Sequence, residues 1–219
     1  MKKIALKAAF AGVAMSLIAT AAQALPVSQL SVASYDMLNG NTGSFTYWDD
    51  SYNGTGSTTT SGAPLSGGTG DLTDGVIATQ NWFNTPQPYV GWTRNPLITF
   101  NFAAPVIVNS ITVHVDDANG AGGVSTPASL SYGLSGGSLT NVALADPAGS
   151  APTSFTIGNL NLSGSAVDLQ FFRRSSWVFV SEVEFFGSVQ EYQGVSEPLT
   201  LGLLGAGLLG VGLARRRQK

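Results

Sequence analysis

Apolar and polar residues alternate along six short segments of this chain, with the period of strands that bury one face. Turns rich in glycine separate the segments, for example at residues 119–123 and 135–138. The segments span residues 97–102, 110–115, 128–132, 154–157, 167–171 and 177–185. Short strands at this spacing predict an all-β fold, either an antiparallel sandwich or a jelly roll.

The chain has 219 residues, of which 11% are charged and 27 are glycine. This length accommodates one domain, which we place at residues 25–190. Within it, residues 39–70 are rich in Gly, Ser, Thr and Asn, a composition that predicts a flexible loop burying little surface. The absence of cysteine excludes disulfides, a thiol nucleophile and thiolate zinc sites.

Residues 1–24 predict a signal peptide. Lys2, Lys3 and Lys7 precede an apolar run, and Ala22-Gln23-Ala24 has the small residues after which signal peptidase cleaves. The alternative is a transmembrane anchor, which the shortness of the apolar run disfavours. We therefore expect an exported protein.

Residues 195–219 predict a second targeting segment. Residues 199–214 are almost wholly apolar, and the basic cluster 215–217 that follows them should remain on the cytoplasmic side. A helix of this length rises about 24 Å, which is short for a bilayer and favours transient membrane anchoring. The alternative is that its regularly spaced glycines pack one helix against another.

This tail resembles the PEP-CTERM sorting signal of Gram-negative bacteria, in which a short motif, an apolar helix and an arginine cluster follow one another. The motif residues here are Val195, Ser196, Glu197 and Pro198, with Ser196 where the family typically has proline. The resemblance implies cleavage near Glu197-Pro198 by an exosortase, a membrane transpeptidase. It also implies a final location at the cell surface or in the extracellular matrix, with a link to exopolysaccharide and biofilm.

The body of the chain resembles the discoidin (F5/8 type C) domain, which has a galactose-binding-like jelly-roll fold. The resemblance rests on ordered landmarks between residues 30 and 187. The landmarks are Leu72-Thr73-Asp74-Gly75-Val76, Trp82, Val90-Gly91-Trp92, residues 98–102, residues 111–117, Pro127 and residues 180–185.

The discoidin resemblance implies a structural calcium ion. Its ligands would be Asp74 and Glu182, with backbone oxygens around Leu72 and with Thr79. Because Ca²⁺ takes six to eight oxygen ligands, an acidic domain without cysteine suits it. The alternative is that Asp74 only caps a turn with Gly75 while Glu182 faces solvent.

The resemblance also implies a ligand site in loops at one end of the sandwich, where tryptophan stacks on a sugar and polar groups hold its hydroxyls. The candidates are Trp92, Arg94, Asp116, Asp117, Arg173 and Trp177. The alternatives are that the tryptophans belong to the core, the aspartates to a turn and Arg173 to a solvated strand end.

Charge and motif content exclude several classes of function. Between residues 25 and 195, three arginines face twelve acidic residues, a balance that disfavours nucleic-acid binding. His114 is the sole histidine and no Gly-x-Ser-x-Gly motif accompanies it. Asp116 and Asp117 are adjacent, so they cannot be assumed to flank a glycosidic bond. We predict that the chain is not an enzyme.

Two functions remain from different classes. In the first, the sandwich is a carbohydrate-binding module that attaches to exopolysaccharide. In the second, it is a purely structural surface or matrix domain with no small-ligand site. Saturable binding of soluble glycans distinguishes the two.

Overall fold

The computed structural model describes residues 26–41, 46–84 and 88–190. These residues form ten strands, labelled in chain order, and a 3-10 turn at Ala121–Gly123. The strands are β1 (Ser28–Leu30), β2 (Ser34–Leu38), β3 (Pro64–Gly68), β4 (Val90–Trp92), β5 (Leu97–Val115), β6 (Pro127–Leu134), β7 (Thr140–Ala143), β8 (Thr153–Ile157), β9 (Leu162–Arg173) and β10 (Val178–Val189). Within the same residues, no helix has the length and apolar character needed to cross a bilayer. The predicted signal peptide and sorting tail lie outside the described residues.

The long strand β5 belongs to both layers of the fold. Its residues 97–101 lie between β2 and β9, while residues 111–115 lie between β10 and β8. The ladder with β9 is irregular between Asn101 and Val106, where Pro105 supplies no N–H for hydrogen bonding. One layer therefore runs β3-β2-β5-β9-β6-β7, and the other runs from β8 through β5 and β10 to β1 and β4. All these strand pairs are antiparallel.

Buried aromatic side chains join the two layers. The ring centroid of Phe100 on β5 lies 5.0 Å from that of Phe185 on β10, and Phe102 lies 5.3 Å from the same ring. On the other side of Phe100, the Tyr35 ring of β2 lies 5.7 Å away. In the ladder between β5 and β10, Phe185 pairs with Ile111 and not with Phe100 or Phe102. Its ring therefore meets theirs where the two layers face each other, so the core is the interior of a β-sandwich.

The predicted all-β antiparallel fold is confirmed. The six alternating segments lie in β5, β6, β8, β9 and β10, apart from Trp177, which directly precedes β10. The predicted turn at residues 135–138 connects β6 to β7. Alternation did not reveal β1 to β4 or β7. Strands β1, β4 and β7 have only three or four residues, too few positions for a period. Strand β3 ends on two glycines, and the alternation of β2 over residues 34–37 was missed.

The prediction that residues 39–70 bury little surface is wrong for their described part, residues 39–41 and 46–70. Strand β3 lies here, and Tyr47, Asp49, Tyr52 and Leu65 are buried. The Tyr52 hydroxyl donates to the Tyr35 carbonyl and accepts from the Gly68 amide. The composition rule failed because a few aromatic and acidic side chains among many small residues are enough to fix this segment.

Candidate functional site

Loops from both layers meet at one end of the sandwich, around residues 93–96, 116–126 and 174–177, which we call the loop end. Trp92 pairs with Val178 in one layer, and its indole N–H donates to the Leu38 carbonyl of the other layer at 2.8 Å. The Trp177 amide donates to the Gly123 carbonyl at 2.8 Å. These contacts hold the loops against strand ends that lie at the same end of both layers.

Trp92 itself belongs to the core, which corrects its prediction as a ligand-binding residue. Its side chain is fully buried, and its hydrogen bond to Leu38 leaves the indole with no polar group to offer a ligand. The alternative interpretation of Trp92 as a core aromatic is the right one.

Trp177 instead belongs to an aromatic cluster at the loop end, formed by Tyr47, Trp82, Phe83, Trp177 and Phe179. Both indoles stack on the buried Phe179 ring, Trp82 at 6.1 Å and 13° and Trp177 at 5.5 Å and 28°. The Tyr47 ring meets these three rings edge-on. Trp82 and Trp177 are only partly buried, and Phe83, edge-on to Trp82, is 56% exposed.

Two glycines bring the loop after β5 against this cluster. Gly122 and Gly123 have φ of 62° and 80°, values that side chains rarely allow. A Cβ on Gly122 would lie 2.4 Å from the Trp82 ring, and one on Gly123 would lie 2.8 Å from the Ser176 side chain. The backbone at Gly122 therefore packs directly against the Trp82 ring, and the backbone at Gly123 packs against the Ser176 side chain.

Asp116 and Asp117 lie beneath the cluster, which corrects their prediction as residues that contact a ligand. Both are buried. Asp116 accepts hydrogen bonds from the Asn81 amide at 2.8 Å and from the backbone N–H of Trp82 at 3.0 Å, and Asp117 accepts one from the Asn119 N–H at 3.0 Å. Burial raises the pKa of Asp116. These carboxyl groups bind backbone and side-chain donors of the loops, in agreement with the alternative that the two aspartates belong to a turn.

Arg94 and Arg173 are partly buried at the loop end. Arg94 donates through Nε and Nη2 to the Asn41 side-chain oxygen at 3.2 and 3.0 Å. Arg173 donates through its backbone N–H and Nε to the Asn95 side-chain oxygen at 3.1 and 3.3 Å, and through Nη1 to the Ser176 carbonyl at 2.7 Å. Neutral oxygens thus orient both guanidinium groups.

The structure therefore places Arg94, Arg173 and Trp177 at partly exposed positions at or next to the loop end, and places the other three candidates inside the domain. Sequence reasoning missed Trp82 as a site residue, using it only as a landmark, and missed Tyr47 and Phe83. The signal available was the aromatic pair Trp82-Phe83 in a polar stretch, since exposed neighbouring aromatics mark binding surfaces.

The predicted calcium residues lie beside the middle of β10. Glu182 is buried at a cavity of about 330 Å³ that Thr73 also lines. Burial, with smaller contributions from the charges of Asp74 and Glu184, raises the pKa of Glu182 to about 8, although the Gly75 N–H donates to it at 3.1 Å. The alternative of a solvent-facing Glu182 is therefore wrong. Asp74 does cap a turn, since it accepts the Val76 N–H at 2.8 Å.

These residues fit a hard cation in part. Glu182 is a buried carboxyl group that must keep a proton or gain a positive partner, and the Thr73 hydroxyl is buried without a hydrogen-bond partner in the described chain. The described residues contain no cluster of three or more His, Asp or Glu side chains suited to a metal. Hydroxyl and backbone oxygens would have to complete the shell, which Ca²⁺ accepts. Of the other oxygens predicted, the Leu72 carbonyl accepts the Val183 N–H at 2.9 Å, and Thr79 is exposed.

His114 lies away from the loop end, on the face of β5 next to β10. Its Nε2 lies within hydrogen-bonding distance of a carboxylate oxygen of Glu184, at 2.9 Å, and both side chains are mostly buried. The imidazole therefore has a structural partner on the neighbouring strand.

No family model matches this sequence, and no relative was found among curated proteins. Among solved structures, truncated AlyQ with CBM32 and alginate lyase domains is 14% identical, with a TM-score of 0.43, over 80% of this chain and 37% of that one. The CBM32 of AlyQ in complex with 4,5-unsaturated mannuronic acid is 14% identical over 73% and 98%, with a TM-score of 0.40. An F5/8 type C domain from Bacteroides fragilis is 13% identical over 54% and 80%, with a TM-score of 0.36. These similarities concern the fold alone.

Proposed function

We propose that this chain is an exported surface or extracellular-matrix protein whose β-sandwich binds carbohydrate, without catalysis, at the loop end. The observation that carries the proposal is the partly exposed pair Trp82 and Trp177 on a buried Phe179, with Phe83 exposed beside them. Polar donors on Arg94 and Arg173 lie in the adjoining loops.

This arrangement suits a sugar for two physical reasons. An indole face offers a flat apolar surface for the C–H groups of a pyranose ring, while guanidinium N–H groups donate to its oxygens. The stacked rings, the close glycines and the hydrogen-bonded arginines fix these groups in advance, which reduces the conformational entropy lost on binding. The alternative function is a purely structural domain, which would need no such exposed aromatic pair.

The proposal is tested by glycan-array binding of the full-length chain in mild detergent. We expect saturable binding, and we expect Trp177→Ala to weaken it about fivefold, since removing a stacking aromatic costs on the order of 1 kcal/mol. Phe186→Ala is the matched control, because Phe186 is a partly buried aromatic that pairs with Gln29 and Ser110, away from the loop end. Absence of saturable binding to any glycan would favour the purely structural alternative.

Export and sorting belong to the same proposal and rest on residues 1–24 and 195–219. Signal peptidase would remove the first segment, the helix 199–214 would anchor the chain transiently in the inner membrane, and an exosortase would cleave at the Val195 to Pro198 motif. The released domain would then be free to bind extracellular polysaccharide.

Mass spectrometry of the protein from the cell surface and the medium tests the sorting step. We expect the mature chain to begin after Ala24 and to end at or before Pro198, because the apolar tail acts as a removable address. A mature chain that retains Arg215 to Arg217 would contradict exosortase processing. Replacing Glu197 with glutamine is expected to leave the tail attached and the chain in the membrane fraction.

We also propose a structural Ca²⁺ ion beside β10, held by Asp74 and Glu182 with hydroxyl and backbone oxygens around residues 72–73. When bound, the ion supplies positive charge to a buried carboxylate. The protein residues exclude water from that carboxylate and tie the segment after β3 to β10, through the Gly75 and Val183 hydrogen bonds.

A further inference from the structure

The positive charge of this acidic domain is concentrated at one place. Between residues 25 and 195, the three arginines are Arg94, Arg173 and Arg174, and twelve acidic residues are distributed over the same span. Arg94 lies in the segment between β4 and β5, and the other two lie where β9 ends. Asn95 connects these segments by accepting hydrogen bonds from Arg173. All three arginines therefore lie at or next to the loop end.

Two of the three arginines keep an uncompensated charge. Arg174 forms an ion pair with Asp146 at 3.3 Å and donates to two backbone carbonyls. Arg94 and Arg173 have no acidic partner within the described residues, and their side chains donate only to neutral oxygens. A guanidinium group has five N–H donors, so each of these two retains three that bind nothing in the described part of the chain.

We propose that the loop end recognises an acidic polysaccharide, with Arg94 and Arg173 binding its anionic groups and Trp177 stacking on its sugar rings. The inference rests on the proposed function and specifies its ligand class. A planar guanidinium matches a carboxylate or a sulfate ester with paired hydrogen bonds. Uronic-acid carboxylates and sulfate esters share this chemistry, and the experiment distinguishes them.

The net negative charge of the domain does not oppose this assignment strongly. Charges farther than about 8 Å from a bound anion are largely screened at physiological ionic strength. The exposed groups at the loop end then contribute most to the interaction. There Asp146 pairs with Arg174, and Asp116 and Asp117 are buried, which leaves Arg94 and Arg173 as the partly exposed charges without an acidic partner. The acidic remainder of the surface would restrict such a polymer to this one region.

The test compares polymers that differ only in charge. Full-length protein in mild detergent, at one low calcium concentration, is titrated with polygalacturonate and with the same polymer after carboxyl reduction, and in parallel with dextran sulfate and dextran. We expect at least about tenfold tighter binding to one charged polymer than to its neutral counterpart. Preference for polygalacturonate assigns the anion as a carboxylate, and preference for dextran sulfate assigns it as a sulfate ester.

Arginine variants test whether Arg94 and Arg173 cause the tighter binding of the charged polymer. Arg173→Met and Arg94→Met are expected to abolish the preference, because they weaken binding of the charged polymer more than binding of the neutral polymer, and Arg173→Lys is expected to retain part of the preference. Arg174→Met is the control, since Asp146 already neutralises Arg174. Thermal melts of each variant establish that the fold is retained.

Two failures are distinguishable. Equal binding of charged and neutral polymers, or equal weakening by Arg173→Met and Arg174→Met, would overturn the acidic-ligand inference while leaving carbohydrate binding intact. Binding of none of the four polymers, together with an empty glycan array, would overturn the proposed function itself.

Discussion

Replacing Trp92 with alanine is expected to lower the free energy of unfolding by about 3 to 5 kcal/mol. Trp92 is the largest of the fully buried side chains in the described chain. Its indole N–H donates to the Leu38 carbonyl across the two layers at 2.8 Å. Alanine would therefore leave a large cavity and also remove a buried hydrogen bond, and both losses destabilise the folded state.

Chemical denaturation of the full-length chain in detergent, followed by tryptophan fluorescence, measures the effect. Trp92→Phe keeps most of the ring volume and is expected to cost less, about 1 to 3 kcal/mol, mainly through the lost donor. Trp177→Ala removes a partly exposed indole and should cost less than Trp92→Ala while reducing glycan binding more at temperatures where both variants are folded. Comparable stability of Trp92→Ala and wild type would contradict the core position of this residue.

The contrast between Trp92 and Trp177 shows where sequence reasoning reaches its limit. The two residues have similar sequence contexts, since each is a tryptophan at one boundary of a short apolar segment. Their exposure depends on which strands cover them, and Trp92 is covered because β4 pairs with the start of β10 while facing Leu38. Such long-range pairing has no local signature, so the sequence alone could not distinguish the buried tryptophan from the partly exposed one.

Local patterns predicted the strands better than they predicted the loops. Alternation identified β5, β6, β9 and β10, whose eight or more residues give enough positions for a period of two, and also the five-residue β8. In the loops, the same residue types serve opposite roles, as Asp116 is buried while Asp74 is exposed on a turn. The arginines were easier to place, since a long cationic side chain in an acidic domain seldom enters the core.

The proposed calcium site, by contrast, rests on both sequence and structure. The resemblance named Asp74 and Glu182, but only the fold shows that Glu182 is buried and that burial raises its pKa to about 8. Asp71 and Asp49 are buried within reach of the Asp74 charge, and burial raises their pKa values to about 7 and about 6. Three carboxyl groups in this region are therefore more basic than in the unfolded chain.

Thermal stability in chelator is expected to fall as pH rises from 5 to 8.5. Between its ordinary value of 4.5 and its folded pKa of about 8, Glu182 keeps a proton in the folded state that the unfolded chain has lost. Stability therefore declines through this window. Asp71 and Asp49 contribute in the same direction, up to about pH 7 and pH 6. A melting temperature that rises with pH in chelator would contradict these raised pKa values.

Calcium is expected to restore the thermal stability that the protein loses in chelator near pH 8.5. Saturating Ca²⁺ at pH 8.5 should raise the melting temperature by about 5 °C or more, because a ligand of the folded state at a hundred times its Kd contributes about 2.7 kcal/mol. At pH 5 the response should be smaller, since the ion must then displace a proton from Glu182. Differential scanning fluorimetry with calcium and with chelator measures both.

Glu182→Gln provides the decisive comparison, because its amide oxygen still accepts the Gly75 N–H but cannot ionise. This variant is expected to lose the calcium response and to show a shallower decline with pH, the remainder coming from Asp71 and Asp49. Glu184→Gln, two residues along the same strand, removes a carboxylate that faces His114 and Gln29 and contributes only a minor part of the raised pKa of Glu182, so it should keep the calcium response. A calcium response that survives Glu182→Gln would place the ion elsewhere in the chain.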